Sequence, residues 1–297
     1  MPPSSVQPSS APLHEGGPAL VDVMTAWGRP EVVAEVDAAL AEVARLRFHE
    51  GLRRGWPEAR AEAAVREAGA LARLEGVRIS DDDLRVRSMR DGGRAEAERG
   101  RTAATSDPGE ALALGIWRSQ WNLVGRMAPL NARSPRAGSG PAVPALLAAF
   151  HRDICSLLLE DRLVEASAVA MPTDPAGLRS ALVLAASDSP DLPAVVAAAA
   201  LRAQFRMAEV FTPGSLALGA ALERWTLVRR GVDPTGVVVV SALDDSGPQD
   251  AGRALAGWAG GGEEGIAGWL VREARSLAHG ARIGADVALS VQAGRLA

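Results

Sequence analysis

His151 and Cys155 stand four residues apart, so a helix would put an imidazole and a thiol on one face. That pair could hold zinc, or serve as base and nucleophile. Against both readings, Cys155 is the sole cysteine, and His14, His49 and His279 are remote in sequence. A core thiol beside a helix-surface histidine is the expected arrangement. Asp81, Asp82 and Asp83 have the oxygens a hard cation needs, but helix capping and the helix dipole account for three carboxylates at a helix start. Gly260, Gly261 and Gly262 precede a helix and would offer free amides to a phosphate. Glu263 and Glu264 follow at once and oppose a second negative charge, so a simple turn is expected there. Trp117 and Trp121, one turn apart, could form a recognition patch, although aromatics at that spacing are ordinarily core. None of these groups completes a catalytic motif.

Composition removes whole classes of chemistry. All 32 basic side chains are arginine, and tyrosine is absent. Without lysine there is no P-loop phosphate lysine and no Schiff-base amine, and without tyrosine no phenolic acid or base. A formal charge of -4 leaves no overall basic field, so nucleic acid is not an expected partner. With 47% hydrophobic residues, the 297-residue chain can bury a large core. The single cysteine suits a reducing compartment, residues 1–18 read as a disordered Pro/Ser-rich tail without signal-peptide features, and no apolar run reaches membrane-spanning length. The expected address is cytoplasmic, with no membrane partner.

The elements that must position any site read as helices. Pro30 opens one over residues 30–49, with Val36, Leu40 and Val43 on one face. A second runs over 57–74 and ends near Gly76, and Ser80 with Asp83 forms a capping box for a third. Residues 90–108 lose apolar periodicity and read as a flexible connection. Further helices are expected over 109–127, 142–159, 175–187, 192–210, 214–230, 251–258 and 263–292, separated by proline and glycine. Four consecutive valines within residues 236–241 make the best strand candidate, but one run cannot build a sheet and would otherwise be an extended connection. The division is a tail over 1–18, N-terminal helices over 19–108 and a helical core over 109–297.

The run Glu209-Val-Phe-Thr-Pro-Gly-Ser-Leu-Ala-Leu-Gly-Ala220 lies between two apolar helices, the second of which runs into Arg-Gly-Val-Asp-Pro234 and the valines. It resembles the central segment of Fic proteins (Fido domain), whose pattern is H-P-F-x-D/E-G-N-G-R-x-x-R, and Phe211 and Gly214 match it. Glu75-Gly76 is similar to the Glu-Gly pair of the family's inhibitory helix, with Leu71 where a serine or threonine is expected. The resemblance implies an all-α, Fic-like helical bundle with preceding N-terminal helices and little or no β-structure. It also implies ATP and Mg²⁺ as the ligands of an active member; no cofactor is assigned to this chain.

Fic chemistry needs a histidine base, an acid to hold Mg²⁺, and a Gly-Asn-Gly turn with arginines to bind phosphates. Here the motif is degenerate: Glu209 stands at the histidine position, Pro213 at the acid, Ser215 at the asparagine, Leu216 at the second glycine, and Ala217 and Ala220 at the arginines. Phe211, Gly214 and Ser215 remain as a nucleotide site at a helix N-terminus. Arg224, one turn beyond Ala220, is either a partial phosphate ligand or an ordinary helix-surface arginine. An ordinary carboxylate is a weak base for a hydroxyl, so no catalytic residue is assigned and Glu209 is only the positional counterpart. The leading expectation is a pseudoenzyme that binds a protein partner and keeps a vestigial nucleotide site; a homo-oligomer is compatible with this. The alternatives are a divergent AMP transferase acting on protein hydroxyls, and a helical interaction module unrelated to Fic.

Overall fold

The computed structural model describes residues 18–97, 107–130, 141–186 and 192–295, without the side chains of 91–97 and 186. The described residues form α-helices and one short 3₁₀ turn, with no strand. In chain order the helices are α1 (Leu20–Trp27), α2 (Pro30–Arg47), α3 (Leu52–Leu74), α4 (Asp81–Ala97), α5 (Pro108–Arg126), α6 (Val143–Glu160), α7 (Pro175–Ala186), α8 (Ala194–Ala208), α9 (Ser215–Arg229), α10 (Ala242–Ser246), α11 (Pro248–Ala259) and α12 (Glu263–Gln292). The tail expected over 1–18 lies almost wholly outside the described residues. The connection expected over 90–108 is corrected in part, because α4 continues to Ala97, while 98–106 fall outside the described residues.

Local chemistry explains the boundaries. Proline occupies the first turn of α2, α5, α6 and α11, where its missing amide costs nothing. Ser80 caps α4: its Oγ accepts from the Asp83 amide at 3.0 Å and donates to the Asp83 carboxylate at 2.7 Å. Asp81, beside it, pairs with Arg73, so this acidic start is capping and docking. α3 begins earlier than Pro57 predicts, since a kink at Gly55 joins one further turn to it. α1 and α10 were not foreseen.

The bundle is built around α9. α8 and α9 form an antiparallel hairpin, α5 packs on α6 and α3, and the long α12 spans α1, α2, α3 and α11. Ala217, Leu218, Ala220, Ala221 and Leu222 of α9 are all buried, as are Ala197 to Ala200 of α8, so small side chains let these helices approach closely. α5 and α6 touch at a glycine: a Cβ on Gly115 would lie 2.1 Å from the Ile154 carbonyl oxygen.

The valine run is not a strand. Val237 to Val240 are at most 1% exposed, and side chains satisfy their backbone and that of the turn before them. The Asp233 carboxylate accepts from the amides of Thr235, Gly236 and Val238. Arg60 donates to the carbonyls of Thr235, Pro234 and Ala128, and Arg224 to that of Gly236. The Ser241 amide is held by Glu67 and the Val239 amide by the Gly280 carbonyl. A buried extended segment must pair its backbone groups, and here arginine and carboxylate side chains replace a neighbouring strand.

Gly115→Val should lower the unfolding free energy by about 2–3 kcal/mol in chemical denaturation, because the new Cβ meets backbone that can only move apart. A loss below about 0.5 kcal/mol would show that the α5–α6 contact is looser than described.

Candidate functional site

Residues 209–214 link α8 to α9. Glu209 ends α8 in the left-handed region (φ 43°) with its side chain exposed, and the Val210 carbonyl accepts from the amides of Thr173 and Asp174. Phe211 is buried, the Thr212–Pro213 bond is cis, and Gly214 has φ 85°. Glycine is required at 214 twice over: for that φ, and because a Cβ would sit 2.8 Å from Ile154 Cγ2. Ser215 does not present its hydroxyl to the helix N-terminus as the sequence suggested. It is 7% exposed and donates to the Phe205 carbonyl at 2.7 Å, tying α9 back to α8.

The N-terminus of α9 is instead met by Glu75. Gly76 closes α3 with φ 88°, its amide bonding to the Arg73 carbonyl and the Val77 amide to that of Ala72, the pattern of a Schellman cap. Glu75, the last residue before that reversal, accepts from the Ala217 amide at 3.4 Å, and the Leu216 amide also stabilises its carboxylate. Burial pushes the Glu75 carboxyl above the usual range, the two amides oppose that, and the charge of Glu209 adds to it. A carboxylate of the chain thus lies where the free amides and dipole of α9 would attract an anion.

His151 fixes the loop from the other side, and the surface position expected for it is wrong: it is fully buried. Its Nδ1 accepts from the Ala170 amide at 2.8 Å, so the proton sits on Nε2, which faces the Pro213 carbonyl at 3.2 Å. The ring lies 5.0 Å from that of Phe211. Burial lowers the His151 pKa, with the Pro213 carbonyl opposing, so the imidazole is neutral. Cys155 Sγ is 3.4 Å from Nε2, yet burial pushes the thiol up to about 11, which leaves no thiolate for nucleophilic attack at neutral pH. No cluster of three metal-binding side chains occurs among the described residues.

Of the remaining candidates, Arg224 is neither a surface residue nor at the α9 N-terminus. It is 3% exposed, bonded to Gln120 and to the Gly236 carbonyl, about 13–15 Å along the helix from Ser215. Phe211, Gly214, Ser215, Glu75 and Gly76 gather at one place; Arg224 does not join them. Trp117 and Trp121 stack with centroids 6.1 Å apart, but Trp121 is 49% exposed and is not core. Gly262 precedes α12 in a turn, with Glu263 paired to Arg29. His49 caps the amide of Gly51. Sequence reasoning missed the buried ionic cluster around Arg202. Its signal was two arginines one turn apart on a helix with no polar face.

A histidine held neutral binds its proton less readily folded than unfolded. Its contribution is therefore complete above the ordinary histidine pKa of about 6.5 and is lost as pH falls through that value towards the lowered folded one. The stability difference between the native chain and His151→Gln should narrow from pH 7 to pH 5 in urea titrations. Parallel pH profiles would contradict the assignment.

Neither a protein-family model nor a curated protein matches the sequence. In three dimensions the chain is similar to the crystal structure of a Fic family protein from Desulfovibrio desulfuricans G20, with a TM-score of 0.59 at 15% sequence identity. The alignment covers 86% of this chain and 74% of that one. The chain therefore has a Fic-like, all-α fold.

Proposed function

We propose that this chain is a non-catalytic binding or regulatory protein on a Fic-like scaffold, whose vestigial nucleotide site at the N-terminus of α9 is occupied by its own Glu75. The observation that carries the reading is the Glu75 carboxylate on the amides of Ala217 and Leu216. An incoming phosphate would have to displace Glu75 and then face Glu209, which raises the Glu75 carboxyl by its negative charge.

The resemblance expects arginines at Ala217 and Ala220, and both positions are now core, at 0% and 1% exposure. Removing one preorganised contact of this kind typically costs about 3 kcal/mol of barrier stabilisation in enzymes. The loop chemistry that survives is structural: Phe211 packs on His151, Gly214 makes the turn and Ser215 ties α9 to α8. The proposed partner is a protein, and the proposed location is the cytoplasm. No described helix is long and apolar enough to cross a membrane.

Two measurements on the full chain separate this reading from an AMP transferase. With labelled ATP and Mg²⁺, alone and with cell lysate, neither the native chain nor Glu75→Ala should transfer label; transfer that Glu209→Ala abolishes would overturn the non-catalytic reading. In thermal-shift titrations with inorganic phosphate and with ATP, the native chain should not respond. Glu75→Ala should gain a shift, because a ligand bound only to the folded state raises its melting temperature. No gain in Glu75→Ala would show that the carboxylate covers no anion site.

A further inference from the structure

Arg202 and Arg206 project from the alanine-rich α8 into a buried ionic cluster built by four other helices and a connecting serine. Arg202 donates to Glu223 of α9 at 2.7 Å, to Asp244 of α10 at 2.8 Å and to Ser241 at 3.3 Å. Arg206 and Arg272 of α12 also hold Asp244, at 2.7 and 3.0 Å. Ser241 in turn donates to Glu67 of α3 through its hydroxyl and its amide. Glu273 of α12 completes the group, 3.6 Å from Arg202 Nε.

The cluster holds four carboxylates against three guanidiniums, and the donors are unevenly shared. Asp244 takes all three arginines: burial alone would raise its carboxyl, but Arg202, Arg206 and Arg272 outweigh burial and hold it below the usual range. Glu67 has Ser241, and Glu223 has Arg202. Glu273 is 3% exposed, and neither of its oxygens meets a donor within hydrogen-bonding distance. An ionised carboxylate without donors in such a place costs several kcal/mol, and a bound proton removes that cost.

We propose that Glu273 carries a proton in the folded protein and acts as a pH-operated latch: while the proton is bound α12 stays packed on α8, and alkaline pH, by drawing the proton into solvent, leaves a buried charge without donors that loosens this packing. Burial raises its carboxyl well above the usual range; Arg202 and Arg206 oppose this, and the charges of Glu223 and Asp244 reinforce it. Burial likewise pushes Glu223 up to about 7 against the pull of Arg202, so the two acids compete for one guanidinium. The α8–α9 hairpin carries the 209–214 loop at its joined end.

An acid raised in the folded state contributes stability that is complete below its unfolded pKa of about 4.5 and is lost as pH rises through the folded value. The melting temperature of the native chain should therefore fall by roughly 3 °C or more between pH 6 and pH 9. Glu273→Gln, which copies the protonated shape, should match the native chain at pH 6 and show a shallower alkaline slope, the remainder being that of Glu223. A slope equal to the native one, or an equal loss of stability at pH 6 and pH 9, would overturn the latch. Infrared titration of the native chain keeps the idea testable if the variant does not fold. A protonated-carboxyl band must persist above pH 7, the region in which Glu223 titrates, and its absence there would overturn the proposal.

Discussion

The amides at the start of α9 must be satisfied inside the protein, and much of the structure answers that demand. α9 is buried along most of its length, so water cannot serve its first turn as it would at a surface helix. The chain meets the need with one residue brought from far away: Glu75, placed by the Schellman cap that Gly76 makes at the end of α3. Gly214 and Ser215 set the position of that helix start. One turns the backbone into the helix, and the other uses its hydroxyl to tie α9 to α8 and not to cap the first turn.

The absence of lysine shapes the core in a related way. Arg60, Arg202 and Arg224 are each 3% exposed or less, and each uses its planar fork to join different elements. Arg60 and Arg224 hold the turn that leads into the valine segment, while Arg202 gathers three helices and Ser241. A lysine carries its three donors on one nitrogen and lacks the fixed fork that reaches acceptors spread over several elements. Burying such charges is costly, and removing one partner of a buried ion pair costs more still.

The sequence made the helices legible wherever proline, glycine or a capping serine punctuated them, as at Pro30, Gly76 and Ser80. Short matches to a known pattern also single out Glu75, Phe211 and Gly214, and Glu75 meets the start of the helix that follows Gly214. Residues whose environment depends on tertiary packing were misjudged. Buried His151 shares a helical face with Leu147, Ile154 and Leu158, a periodicity that points to the core, whereas its polar ring points to the surface. Arg224 was judged from its neighbours on one helix, but its partners come from α5 and the valine segment. Trp121 shows the reverse error, since helical spacing does not say whether a second layer covers the face.

The central claim is that the Glu75 carboxylate sits on the N-terminal amides of α9, and amide-resolved NMR during a pH titration tests it most directly. The Leu216 and Ala217 amide resonances should move together with one midpoint above the ordinary glutamate value, and Glu75→Gln should abolish that movement. Resonances that stay fixed while Glu75 titrates, or that move equally in Glu75→Gln, would contradict the account.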